Sequence, residues 1–385
     1  MIDVALEKAM IAGVSGRQVL NTHLAWTVEV TVTLADGRAG RGASPRGETP
    51  SIYEDRETGG RPAPDEVLRS MARELEGLDI DQAALDGLLI ERHAQWGAAA
   101  TYAMSSAFYE ATRAGGPGRS PRILFNVLNG GLHAYTNPIV SDCSEFLLVP
   151  RSDDVAATVA GYLQILTETE RALAALPTTT IGGNRVHDLG ADPNTAAFAL
   201  MEKLLAETGQ TERFGMMTDA SAGDWFVDGH YELSVTGESL EPGALVDEWL
   251  RLMDRFDLEI LEDPFAETDV ASWQALHDQR PARSHLYGDN LTSVQPAQLE
   301  TKSHLVDGVL VKPDQNGTVT GTVRFAELAR EAGLSIAASH RSIETDSSFL
   351  VNLSTDIGAD YIKIGPYSDF SSVMRTNALL RGLDA

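Results

Sequence analysis

The stretch Leu258-Glu-Ile-Leu-Glu-Asp-Pro-Phe265 decides how the chain is read. It is a short apolar run that ends in two acids and is stopped by Pro264. A proline has no N–H to give a ladder, so it suits a strand end. One such run says little, because acids at strand ends are usually solvated. Five further runs repeat the plan: Phe214-Gly-Met-Met-Thr-Asp219, Leu286-Tyr-Gly-Asp289, Val309-Leu-Val-Lys312, Ser335-Ile-Ala-Ala-Ser-His340 and Tyr361-Ile-Lys363. Their terminal polar residues, with Glu262 in its place, follow one another at intervals of 43, 27, 23, 28 and 23 residues. Most gaps carry helical periodicity, as over 323–332. Strand and helix alternating at this spacing predict βα units on a parallel sheet.

Upstream, Ile123-Leu-Phe-Asn-Val-Leu128 and Glu145-Phe-Leu-Leu-Val149 read as two strands around Gly130-Gly131, followed by helices near 153–175 and 195–207. Two strands, two helices and six βα units are enough to close a (β/α)8-type barrel of order ββαα(βα)6. Gly115-Gly-Pro-Gly118 is the predicted domain boundary, giving an N-terminal domain over 1–118 and a barrel over 119–385. The first part reads as a smaller α+β domain. Alternation over 27–34 predicts a half-buried strand, Asp36-Gly37 a hairpin turn, and 65–114 helices. Between them, 42–64 is a long polar loop rich in Gly and Pro, the kind that is mobile and functional.

The net charge is −26, from 56 acids against 30 Lys and Arg. That argues against nucleic acid and anionic membrane as partners, since both need clustered cations. No apolar run approaches the ~20 residues that span a bilayer, and the charged N-terminus is not a secretory signal. Cys143 is the single cysteine, which excludes an internal disulfide and agrees with a reducing compartment; a cytoplasmic protein is expected. Cys143, the tryptophans and Met216-Met217 read as packing.

Active sites of such barrels lie at the C-terminal strand ends. Those ends carry Asp219, Glu262 and Asp289, then Lys312, His340 with Arg341, and Lys363. Three carboxylates side by side repel unless a cation sits among them. All-oxygen ligation selects a hard ion such as Mg²⁺. A dication and burial both lower a lysine's pKa, so Lys312 or Lys363 could serve as a base there. Such a pair suits removal of a proton next to a carboxylate.

Nearly the whole chain resembles enolase. The resemblance rests on Gly16-Arg-Gln-Val-Leu20, Thr27-Val-Glu-Val30, Gly42-Ala-Ser44, Leu128-Asn-Gly-Gly-Leu-His-Ala134, Ser144-Glu-Phe146 and Glu262-Asp-Pro-Phe265. It continues through Gly288-Asp-Asn-Leu-Thr292, Lys312-Pro-Asp-Gln-Asn-Gly-Thr318, Ser339-His-Arg-Ser-Ile-Glu-Thr345 and Leu379-Leu-Arg381. It implies that Asp219, Glu262 and Asp289 hold one Mg²⁺, with Glu262 also near the substrate, and that Ser44 helps bind a second. It implies Lys312 as the C2 base, Lys363 on the substrate carboxylate, Arg341 and Ser342 on the phosphoryl group, and His133 and His340 closing over the substrate. Glu145 falls on the acid side. The expected partner is a small phosphorylated hydroxy acid, and the assembly a homodimer or higher homo-oligomer.

Four segments depart from the family pattern. Asp188, in Asn184-Arg-Val-His-Asp-Leu-Gly190, stands where the family has a second Glu, one methylene longer; His187 beside it could share the role. Pro45-Arg46 follow Ser44 where the family has Thr-Gly, so Arg46 could meet an additional anionic group. Asn21-Thr-His-Leu-Ala-Trp-Thr27 replaces a Ser-Arg-Gly-Asn-Pro-Thr turn. Ile364-Gly-Pro-Tyr-Ser-Asp-Phe370 replaces Thr-Gly-Ala-Pro and the Arg-Ser-Glu-Arg that goes with it. The expectation is a Mg²⁺-dependent lyase that eliminates water from 2-phosphoglycerate or a modified form, as the enolase-like carboxyphosphonoenolpyruvate synthases do. The alternatives are a housekeeping enolase and a non-catalytic binding protein on the same fold. An ammonia lyase or cycloisomerase of the superfamily would lack the His-Arg-Ser segment.

Overall fold

In a computed structural model, the structure describes residues 7–47, 51–54, 64–114, 119–131, 136–181 and 183–382. Eight strands close a barrel. In spatial order they are Leu258–Glu262, His285–Gly288, Gly308–Val311, Ser335–Ser339, Tyr361–Lys363, Arg122–Asn129, Glu145–Pro150 and Phe214–Asp219. The strand at Glu145–Pro150 runs antiparallel to both its neighbours, and all other pairs are parallel. The two helices expected after the first two strands are Val155–Ala174 and Pro193–Glu207. The ββαα(βα)6 order read from the sequence is therefore the order observed.

Successive side chains of a strand point to opposite faces. Leu261 packs outward among the helices, whereas Ile260 points into the barrel. Leu147, Met217, Ile260, Tyr287, Leu310 and Tyr361 belong to one small buried cluster inside the barrel. Each lies two residues from a polar group at the rim: Glu145, Asp219, Glu262, Asp289, Lys312 and Lys363. The apolar layer fixes the strands, and period two then delivers the polar layer above it.

The N-terminal part is a four-stranded antiparallel sheet, ordered Ala39–Ala43, Trp26–Leu34, Ala9–Leu20, Asp79–Ile80, backed by three helices. The helix Ala98–Thr112 lies hard against Ala39–Ala43. A Cβ on Gly42 would stand 2.2 Å from the Ser106 hydroxyl and 2.3 Å from the Ala103 carbonyl, so only glycine fits there. This part is seated on the barrel by buried polar contacts. Ser105 accepts from the Val319 N–H at 2.9 Å, Asp86 from the Thr320 N–H at 2.8 Å, and Arg113 pairs with Asp356 at 2.7 Å. Among the described residues no helix is long and apolar enough to cross a membrane.

Candidate active site

Strand register places Glu145 opposite Asp219, and Asp219 opposite Glu262, so three carboxylates form one row across neighbouring strands. Lys363 reaches across the barrel to this row. Its Nζ lies 2.6 Å from Glu145 Oε2, 2.9 Å from Asp219 Oδ2 and 2.9 Å from Glu262 Oε2. Asn126 Nδ2 donates to Glu145 at 3.1 Å, and the Ser221 N–H and hydroxyl both donate to Asp219 at 2.9 Å. Burial works against the Lys363 charge, yet Asp219, Glu145 and Glu262 together hold its pKa well above that of a free lysine. Asp219 is the converse: burial pushes it up, but Lys363 and then Lys312 bring it down to about 2. Glu262 has no solvent exposure. Burial and then Asp219 push its carboxyl well above the usual range.

Lys312 pairs with Asp289, whose other oxygen, Oδ1, is buried without a hydrogen-bond partner. Burial lowers the Lys312 pKa and Asp289 raises it, with a net rise. Asp263 stands behind this pair. It takes a left-handed backbone conformation, φ 42°, uncommon for a residue with a Cβ. Its carboxyl accepts from the Asp289 N–H at 2.9 Å and the Asn290 N–H at 2.8 Å, so it sets where Asp289 points.

The His340 ring is buried over Gly365, which has φ 96° and could carry no Cβ, since one would approach the ring to 2.9 Å. His340 Nδ1 lies 3.2 Å from the Lys363 carbonyl, which can only accept, so Nδ1 carries the proton. Burial, then Arg375, keep this imidazole neutral at ordinary pH. Arg341 is enclosed by acids. Its guanidinium lies 2.9 Å from Glu54 and 3.2 Å from Asp314, while its N–H donates to Glu344 at 2.8 Å. Burial pushes the Asp314 carboxyl up to about 6, against the pull of Arg341.

A cavity of about 70 Å³ is lined by Glu145, Asp219, Asp289, Lys312, His340, Arg341, Ser342 and Lys363, with Ser144 and Asp263 beside them. Glu262 lies beneath. Other predicted residues are not brought to this cavity. The Ser44 hydroxyl donates to the Pro45 carbonyl at 3.2 Å, away from it. Arg46 bridges to Ile343 through its backbone and leaves its side chain exposed. Asp188 accepts from the Gly190 N–H at 2.8 Å within its own turn. His187 takes part through its backbone, pairing with Ile139, and its ring pKa is lowered by burial and then Arg185. His133 lies outside the described residues. Conversely, Glu54 and Gln315 line the cavity, and Asp314 stands behind Arg341, without having been predicted in those places. Asp314 and Gln315 lie inside a quoted motif; for Glu54, in a polar loop, no pattern marks the position.

The donor set fits a hard dication in its chemistry. Four carboxylates at the rim face two ammonium groups, all donors are oxygen, and Asp289 keeps one oxygen without a partner. The spacing is that of a lysine-bridged set: among the described residues no three His, Cys, Asp or Glu side chains are arranged to hold a metal ion.

Fold and site together define a barrel enzyme of the enolase type, with carboxylates and lysines on successive strand ends. Residues 120–384 match the family model described as enolase, C-terminal TIM barrel domain. The enolase of Rubrobacter xylanophilus is 32% identical, covering 96% of this chain and 94% of its own length. The enolase of Acidothermus cellulolyticus is 31% identical, covering 97% and 94%. The chain belongs to the enolase family, which points to a lyase with a metal-dependent mechanism.

Proposed function

We propose that the protein eliminates water from 2-phosphoglycerate or a modified 2-phosphoglycerate, giving phosphoenolpyruvate or its analogue. The observation that carries this reading is the pairing of two lysines, Lys363 buried and Lys312 half-buried, with four carboxylates, next to a buried arginine, around one cavity. Asp219, Glu262 and Asp289 would hold Mg²⁺, which when bound supplies the positive charge that stabilises a carboxylate carrying a second negative charge. With an ion held there, those carboxylates would serve it rather than the lysines, whose protonated form they favour in this structure. Lys312 is then free to remove the C2 proton, and Lys363 to meet the substrate carboxylate. Arg341 offers a planar fork to the phosphoryl group, with Ser342 beside it. The C2–H electron pair forms the C2–C3 double bond, the C3–O bond breaks, and the hydroxyl leaves as water on taking a proton from Glu145 in its acid form. Neutral His340 closes one wall. Ser44 donates to the Pro45 carbonyl and Asp188 accepts from the Gly190 N–H; the steps above use neither Ser44 on a second ion nor Asp188 on the acid side.

Solvent deuterium exchange at C2 of 2-phosphoglycerate, with Mg²⁺ and followed by proton NMR, tests the reading. Exchange and phosphoenolpyruvate formation are expected. Their absence with this substrate and its C3-substituted and carboxyphosphono analogues, despite bound Mg²⁺, would overturn the lyase reading and leave a binding protein. A housekeeping rate on 2-phosphoglycerate would instead favour the unmodified substrate. The altered segments over 21–27 and 364–370 favour a modified one. Arg46, being exposed, gives no support in this arrangement to an extra carboxylate.

A further inference from the structure

A second cavity, of about 390 Å³, adjoins the first. Glu145, His340 and Ser342 line both, so the two compartments share a wall made of groups from the candidate active site. The larger one is otherwise bounded by Thr22 and His23, by Asn129, and by Pro366, Ser368, Asp369 and Phe370. These are the two segments, 21–27 and 364–370, that depart from the enolase pattern. Separated by more than 300 residues in sequence, they meet here on either side of one space. Its volume falls in the range of small-molecule sites, ~300–1,000 Å³.

The lining states what it would accept. Among the described residues bounding it there is no lysine or arginine, while Asp369 and Glu145 are acids, so a further anionic group would meet two carboxyl groups and no lysine or arginine. Asn129 is 1% exposed, and its Oδ1 has no hydrogen-bond partner. Its Nδ2 faces the Ser144 carbonyl at 3.5 Å, which fixes Oδ1 as the unused acceptor. That oxygen is itself enclosed, so Asn129 borders the space as a polar wall rather than as an open acceptor. Ser368, anchored by the Thr136 hydroxyl, and Thr22 offer further hydroxyls, and Pro366 and Phe370 offer apolar surface.

We infer that this second compartment is a substrate subsite, which takes an uncharged, hydroxyl-bearing substituent on C3 of a 2-phosphoglycerate-type acid. The inference rests on the reading above for its core chemistry, since Glu145 is the group facing the C3 hydroxyl. A C3 substituent leaves that chemistry unchanged: the C2 proton goes to Lys312, the C3–O bond breaks as Glu145 in its acid form gives its proton to the leaving hydroxyl, water departs, and the substituent stays on the new double bond.

The probe is 2-phospho-3,4-dihydroxybutanoate, the C3-hydroxymethyl homologue of 2-phosphoglycerate. Binding of both compounds to the full chain with Mg²⁺ is measured by titration calorimetry, and C2 exchange separately by NMR. The homologue is expected to bind about tenfold or more tighter than 2-phosphoglycerate. Ser368→Trp, which fills the cavity from an exposed position, is expected to reduce that preference about tenfold. Phe370→Ala, which enlarges it, should retain the order of preference. Equal affinity for the two compounds, or an S368W variant that weakens both alike, would overturn the subsite. Loss of C2 exchange with both, while the binding preference persists, would overturn the lyase reading and leave the subsite standing.

Discussion

Replacing Glu54 by Gln keeps the shape of the side chain and removes its charge, at a point where the structure makes two opposite demands. Glu54 Oε2 accepts from Arg341 at 2.9 Å, with both side chains largely buried, while Oε1 accepts from Gln315 Nε2 at 3.0 Å and from the Ser51 N–H at 3.2 Å. The Gln315 and Ser51 bonds need only a neutral acceptor and survive in Gln. The Arg341 bond does not survive at full strength. A charged hydrogen bond contributes ~1.5–3 kcal/mol net. Asp314 still balances Arg341 at 3.2 Å, so the larger penalty for an unpaired buried charge does not apply. The variant should therefore lose ~1.5–3 kcal/mol of stability in urea denaturation. The same bond must be given up when an anionic group takes the Arg341 fork. E54Q should then bind inorganic phosphate tighter by about tenfold to a hundredfold, read by calorimetry, with KM for 2-phosphoglycerate falling in parallel. Unchanged or weaker phosphate binding, in a variant that has lost the expected stability, would refute the competition. It would make Glu54 a structural partner only.

Lys312→Ala should abolish C2 deuterium exchange, with kcat lowered ~10²–10⁴-fold while calorimetry still detects bound substrate; retained exchange would assign the base elsewhere. Asp263→Ala removes the two bonds that orient residues 289 and 290, and should weaken Mg²⁺ binding ~10–100-fold as measured by calorimetry. For Asp314, the folded pKa of about 6 lies above the ordinary 3.8, so between those values the native state holds a proton that the unfolded chain has released. Stability should fall as pH rises through that window, by an amount on the order of 2–3 kcal/mol, and level off above it. Asp314→Asn should flatten this part of the profile in denaturation at pH 4, 5, 6 and 7.

Local periodicity made the barrel legible. Six short runs with polar ends, at intervals that fit a helix between each, leave little choice but βα units. The alternation within a strand is what turns Ile260 inward together with Glu262. The same local rule placed Asp219, Asp289, Lys312 and Lys363 on one rim, with His340 just past the end of its strand, which is why these residues of the cavity could be named in advance. What no local pattern contains is which of them touch. That Lys363 bridges Glu145, Asp219 and Glu262, and Lys312 only Asp289, follows from strand order around a closed sheet and the reach of a lysine across it. Arg341 meets Glu54 over a separation of 287 residues, through a loop whose composition marks no position. The length of Asp188 compared with Glu read as a shortfall in reach. Its turn adds a local partner, since Oδ1 accepts from the Gly190 N–H at 2.8 Å. The sequence alone determined the sheet, its rim and the charges on it. The tertiary structure decided the pairings among those charges and brought residues 22–23 and 366–370 around a second cavity, since contacts between distant segments are set by packing of the whole rather than by spacing along the chain.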